Sequence, residues 1–316
     1  VSQNPIPVTV DNFARAETAR MFAALAQSAG GSNRWKHART PTRVEEQTVI
    51  RMNRDTLYSF AVLDVAHGGT VTVPDADGRY ISVMIVTEEH HIPRILHDAG
   101  TYQLTADEVG SDFVLVAARI LVDPQSADDV AVVAGIQDGL SATSTRGAEF
   151  VSPEYDPVTL DEVRGALKIL ARGVNDIGEA FGRKGEVERL SHLIGAAFGW
   201  GGLPKSEALY LTVSPQLPVG DYHLRVADVP VDAFWSVSVY NADGFFEPND
   251  TDSYNLNSIT AVPDADGAVT VRFGGDPTAP NTLPIVDGWN YLFRLYRPRP
   301  EAASWTPPPL VTDSGN

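Results

Sequence analysis

Arg79-Tyr80-Ile81-Ser82-Val83-Met84-Ile85-Val86-Thr87 and Ala233-Phe234-Trp235-Ser236-Val237-Ser238-Val239-Tyr240-Asn241 read as one strand written twice. Each has an aromatic residue, a Ser-Val core and a polar exit. Each also follows an extended stretch, Gly69 to Asp77 in one case and Gly220 to Asp232 in the other. The simplest cause is two related β-modules in one chain, each using the end of a central strand to present polar groups. Those strand ends are where a site is expected.

Outward from the first copy, Asp11 is placed to cap a helix whose apolar face carries Phe13, Phe22 and Leu25 and which Gly30-Gly31 ends. Thr48 to Asp64 reads as strand-turn-strand around Arg51 to Thr56, and Phe113 to Leu121 closes the first β-module. Between the modules the apolar period changes to that of helices. Val130, Val133 and Leu140 mark one. Thr159 and Glu162 form a capping box for a second, lined by Val163, Leu167, Leu170, Val174 and Ile177. A third is expected from about Glu186 to Phe198, with His192 off its apolar stripe and facing solvent. The second module begins near Leu209 and ends in a Pro-rich tail. Pro-Asp-Ala-Asp-Gly occurs at Pro74–Gly78 and at Pro263–Gly267, a turn string too short for a calcium loop. The expected division is 1–124, 125–205 and 206–316.

With 316 residues the chain is long enough for two modules and a helical segment. Apolar residues make up 43%, and no window approaches a membrane-spanning run, so a soluble globular protein is expected. Asp and Glu number 41 against 24 Lys and Arg, a formal charge of -17 that disfavours nucleic acid and anionic membranes as partners. The absence of cysteine excludes thiol catalysis, Cys-ligated zinc and disulfides. There is no Gly-x-Ser-x-Gly elbow, Walker loop or Gly-x-Gly-x-x-Gly fingerprint.

Three strings carry a family resemblance: Val49 to Ser59, Val231 to Gly244, and Gly288-Trp289-Asn290-Tyr291 with Arg294-Leu295-Tyr296-Arg297-Pro298. They resemble bacterial proteins built from two domains of unknown function, numbered 1254 at the amino end and 1214 at the carboxyl end. The resemblance spans about residue 8 to about 310. It implies an α+β chain with two jelly-roll-like antiparallel β-sandwich modules, an N-terminal helix and a central helical segment, in proteins that are often exported. An exported location is therefore favoured over the cytoplasm. No catalytic assignment comes with it. Relatives often have a single His where this chain reads Glu88-Glu89-His90-His91, and some have a cysteine pair around the loop that here reads Gly275 to Leu283.

Three constellations could carry chemistry. The first is Arg51, Asn53, Asp55, Thr56 and Tyr58, a polar set within a strand pattern. If extended, it places Arg51, Asn53 and Asp55 on one face. Either it is a pocket wall with Asp55 as base or metal ligand and Arg51 as anion clamp, or Arg51 pairs with Asp55 in a structural turn. The second is Glu88 to His91, with His90 the preferred general base or ligand and a solvated surface loop the alternative. No His-Glu-x-x-His signature is present, so no metal ligand set is assigned and any cofactor is left open. The third is Tyr240, Asn241, Asp243, Glu247, Asn249, Asp252 and Tyr254, with Trp235 upstream and Trp289-Asn290 later. Aromatic faces and paired acceptors of this kind suit a sugar-like or other polar organic ligand, or else form an acidic loop with aromatic staples.

The reading these support is an enzyme acting on a small polar organic molecule by acid-base chemistry of hydrolase or lyase type. Its catalytic residues would be His90, Asp55 and Arg51. Substrate would be bound by Asn53, Tyr58, Trp235, Tyr240, Asn241, Asp243, Tyr254 and Trp289. Two alternatives stand beside it: a non-catalytic module binding carbohydrate or another small ligand, and an envelope-associated homo-oligomer joined through exposed strand edges.

Overall fold

A computed structural model describes residues 4–47, 50–174 and 177–312. Thr48, where the first strand-turn-strand was expected to begin, and Val49, the start of the first family string, lie outside the described residues. Among the described residues, five α-helices and sixteen strands make a mixed α+β chain. Two compact units emerge. One comprises Val1–Arg39, Leu57–Leu121 and Ala131–Lys205, and the other Thr40–Thr56, Val122–Val130 and Ser206–Asn316. The segment carrying Arg51 to Asp55, although it leads straight into a strand of the first unit, thus belongs to the second.

In the first unit, the opening helix runs Phe13–Ser28. Gly30 takes φ 77°, so that the Gly31 and Gly30 N–H groups reach back to the Ala26 and Gln27 carbonyls at 2.9 and 3.1 Å. A β-carbon would penalise that left-handed turn, which is why two glycines stop the helix here. Asp11 is not the cap. Asn12 precedes the first helical residue and its side chain instead accepts the Thr9 N–H, while Asp11 pairs with Arg189.

A five-stranded sheet orders Lys36–His37, Thr56–Asp64, Phe113–Leu121, Ile81–Thr87 and Arg94–Leu96. A three-stranded sheet orders Gly100–Leu104, Gly69–Val73 and Ser141–Ser144. Every residue of Ile81–Thr87 is buried, which accounts for the apolar run Val83 to Val86 within it. A separate apolar cluster unites Val8, Phe13 and Ala16 with Leu160 and Leu167 of helix Pro157–Leu170 and Leu193, Ile194 and Ala196 of helix Arg189–Phe198. The expected capping box fails, because Asp156 accepts the Val158 N–H at the helix start and Thr159 instead accepts the Val8 N–H. Leu170, read onto the apolar stripe, is exposed.

The second unit has two four-stranded sheets. One orders Thr282–Leu283, Val269–Phe273, Tyr222–Val226 and Val311–Thr312, and the other Asn255–Asn257, Trp235–Tyr240, Asn290–Tyr296 and Ala208–Val213. Their strand pairings are antiparallel except that of Val269–Phe273 with Thr282–Leu283. One apolar cluster joins them, with Leu224, Val271 and Phe273 from the first sheet and Trp235, Val237, Val239, Tyr291, Phe293 and Leu295 from the second. Each fully buried Leu, Val or Phe in it contributes about 1.5–3 kcal/mol. The second sheet therefore spends alternate residues on this core and has the others free for its opposite face.

Candidate functional site

That opposite face is polar because the side-chain period of a strand is two. Trp235, Val237 and Val239 enter the apolar cluster, so Ser236, Ser238 and Tyr240 point the other way. By the same alternation Asn290, Leu292, Arg294 and Tyr296 emerge from the next strand. Register brings Ser236 opposite both Arg294 and Asn257, Ser238 opposite Asn255, and Tyr240 opposite Asn290. Against this face the chain sets Arg51 to Asp55. The extended reading of that segment is corrected here: Arg51 has φ 54°, and the strand starts only at Thr56. Arg51 is turned by its N–H, which donates to the Gly244 carbonyl at 2.8 Å.

Asp55 sits at the centre, fully buried. Ser236 Oγ donates to one carboxylate oxygen at 2.6 Å and Asn255 Nδ2 to the other at 2.8 Å. Its own N–H is held by Asn53 Oδ1 at 2.8 Å and its carbonyl by the Val122 N–H at 2.9 Å, so the side chain has little freedom. Burial raises the Asp55 pKa above the ordinary carboxylate value, against the opposing pull of the Arg294 charge and the hydrogen bonds from Ser236 and Asn255.

Arg294 supplies that charge and is itself buried. Its guanidinium donates to Ser238 Oγ and to Tyr240 Oη at 2.7 Å, and to the Arg51 and Met52 carbonyls at 2.9 and 3.4 Å. Burial opposes its charge, but Tyr240, Tyr296 and Asp55 outweigh burial and its pKa is raised. Tyr240 Oη passes its own proton toward the Met52 carbonyl at 2.9 Å. At the margin, Arg51 is only partly buried. It donates to Asn290 Oδ1 at 2.9 Å and lies 5.7 Å from the centroid of the Tyr240 ring. Asn53 Nδ2 donates to Tyr296 Oη at 3.0 Å.

Of the residues singled out from sequence, this centre gathers Arg51, Asn53, Asp55 and Tyr240. Asn241 borders it, its carbonyl accepting from Asn290 at 2.7 Å while its side chain organises the turn that leaves Asp243 exposed. Tyr254 is buried with the Arg54 guanidinium 5.2 Å from its ring centroid. Trp235 and Trp289 lie inside the apolar cluster between the sheets. Tyr58 falls in the first unit, with Arg119 5.5 Å from its ring centroid.

His90 also belongs to the first unit. It is buried at φ 62°, and its Nε2 accepts the Gly201 N–H at 2.9 Å while Trp200 stacks at 5.4 Å. Burial, then His192 and His91, bring its pKa down to about 3. His91 stacks on His192 at 4.4 Å, and burial brings it down to about 4. His192 is buried rather than solvent-facing, with its Nε2 on the Glu89 carbonyl at 2.9 Å. The helix turns this side chain inward because the imidazole finds a backbone acceptor there.

Sequence reading missed Arg294, Ser236, Ser238 and Asn255. The signal was present in the alternation of Ser with Trp and Val, and in one Arg within the otherwise uncharged run Asn290 to Tyr296. Among the described residues no three His, Cys, Asp or Glu side chains are grouped to hold a metal ion. No described helix is long and apolar enough to cross a membrane.

Two family models match the chain: Protein of unknown function (DUF1254) over residues 32–91 and Protein of unknown function (DUF1214) over residues 217–300. None of the curated proteins matches it. Among solved structures, the fold is similar to that of the VPA0106 protein from Vibrio parahaemolyticus. That match has a TM-score of 0.77 and 19% identity, covering 96% of this chain and 98% of that one. An uncharacterised protein from Burkholderia cenocepacia is similar with a TM-score of 0.51 and 15% identity, covering 96% of this chain and 87% of that one.

Proposed function

We propose that this chain, which pairs a DUF1254 with a DUF1214 domain, is an enzyme that acts on a small polar organic molecule by acid-base chemistry at Asp55. The observation that supports it is a single carboxyl group, wholly buried and raised in pKa, held by Ser236 and Asn255 next to the charge of Arg294. A carboxyl group whose pKa moves toward neutrality is a better proton acceptor and donor than a free one. In this reading Asp55 exchanges the proton, Tyr240 and Arg294 stabilise negative charge, and Arg51 and Asn53 orient substrate at the margin. His90 stands outside it, since its Nε2 is committed to the Gly201 N–H.

The finer fold expectation, jelly-roll connectivity in both β-modules, is part of the same proposal. The two four-stranded sheets around one apolar cluster support it in the second unit. The alternative of a purely aromatic binding module is less favoured, because Trp235 and Trp289 are spent on that cluster.

Proton NMR of a panel of hydroxylated and carboxylated small molecules incubated with the protein tests the reading. Wild type consumes a member of the panel, whereas Asp55→Asn protein that melts as a folded chain does not. Undiminished conversion by Asp55→Asn contradicts it.

A further inference from the structure

The polar centre of the second unit has two guanidinium groups and one carboxylate. Asp55 is the charge that attracts Arg294. Arg51 has none: its one hydrogen-bond partner is the neutral Asn290, and no Asp or Glu among the described residues acts on it. The other influences on Arg51 are burial, the Tyr240 ring and the repulsive charge of Arg294. Elsewhere in a chain of formal charge -17, Arg15, Arg39, Arg94, Arg146, Arg164 and Arg225 each have a carboxylate partner. Arg51 differs from those six in having no carboxylate partner of its own.

Its position is also imposed. Arg51 has φ 54°, a left-handed conformation that penalises a residue with a side chain. Both of its peptide groups are pinned, the N–H on the Gly244 carbonyl and the C=O under Arg294 Nη2. Gly244 itself has φ 85°, and a β-carbon there would sit 3.8 Å from Arg51 Cγ, so the turn passes close beneath the Arg51 side chain. Strain kept in place by backbone hydrogen bonds, at a partly exposed group with unused donors, is what a preformed clamp requires.

We infer that Arg51 is the recognition group for a negatively charged ligand, and that the small molecule bound at this centre is an organic carboxylate. The inference rests on the Asp55 centre being a ligand site, as proposed above. Guanidinium presents paired N–H donors that match the two oxygens of a carboxylate. The excess of one cation matches a carboxylate's single charge better than phosphate monoester, which carries about -1.5 to -2 at neutral pH. The carboxylate of the ligand would sit on Arg51, leaving its remaining polar groups toward Tyr240 and Asp55.

Formate, the smallest carboxylate, tests this with the full-length protein at constant ionic strength, with formamide and inorganic phosphate as parallel titrants. The expected result is a saturable shift of the Arg51 Nε–H resonance with formate and none with formamide. In calorimetric titration Arg51→Gln should bind at least tenfold more weakly and Arg51→Lys fall between, with both proteins keeping the wild-type melting midpoint within a few degrees. Arg51→Lys also covers the case in which Arg51→Gln fails to fold. A formate affinity in Arg51→Gln or Arg51→Lys equal to that of wild type, an absent response in wild type, or tighter binding of phosphate would overturn the inference. Asp55→Asn separates the two readings. If it binds formate as well as wild type does and no panel compound is turned over by either, the anion site stands and the catalytic reading falls. If turnover requires Asp55 but is indifferent to Arg51→Gln, the reverse holds.

Discussion

Ser236 donates a 2.6 Å hydrogen bond to Asp55 across 181 positions of sequence, joining the segment Arg51 to Asp55 to the central strand of the second unit. Neither residue is exposed. The bond therefore works in a medium where charge is poorly screened, and the ionisation of Asp55 depends on a few named neighbours.

Arg294→Met should be the most damaging single substitution at this centre. It leaves Asp55 buried without its cation and removes the donor shared by Ser238, Tyr240 and the Arg51 and Met52 carbonyls. Breaking a buried pair from one side costs about 3–5 kcal/mol. Urea denaturation followed by tryptophan fluorescence checks this, and a loss below about 1 kcal/mol would show the network to be slack.

Asp55→Asn should have an unusual pH signature. Because the folded pKa is raised, the native state holds its proton more tightly than the unfolded chain does. The stability associated with that proton is fully present below the unfolded pKa and is lost as pH rises through the folded pKa. Melting midpoints of wild type and Asp55→Asn measured across the acid to neutral range should diverge in favour of Asp55→Asn with increasing pH. A gap that widens toward acid pH would reverse the sign and contradict the assignment.

The histidines of the first unit act in the opposite sense. His90 and His91 are brought down to about 3 and 4, so the unfolded chain binds protons that the folded one refuses. Their contribution is complete above the ordinary histidine pKa of about 6.5 and is lost as pH falls from there toward the folded values. Native-state stability should decline over that window, and His90→Asn should flatten the decline. Asn suits φ 62° better than most residues and has no titrating group.

The α+β class and the strands Ile81–Thr87 and Trp235–Tyr240 were legible because burial leaves a periodic apolar trace. Asp55, Arg51, Asn53 and Tyr240 were legible because polar groups interrupt that trace. What the pattern could not carry was the partner. Arg294 and Asn255 are far from Asp55 in sequence, and register alone puts them beside it. Helix starts were misplaced by one to three residues because Asp11, Asn12, Asp156 and Thr159 are all able caps, and tertiary partners such as Arg189 and Val8 decide between them. His192 was misassigned for a similar reason, since the Glu89 carbonyl that draws it inward is remote in sequence.

Carbon-13 NMR titration of the Asp55 carboxyl, assigned by its disappearance in Asp55→Asn, tests the central claim most directly. A midpoint clearly above the ordinary aspartate value of about 3.9 is the expected result. A midpoint at or below that value would mean that Arg294, Ser236 and Asn255 hold Asp55 as a permanent anion, and the acid-base reading of the centre would be wrong.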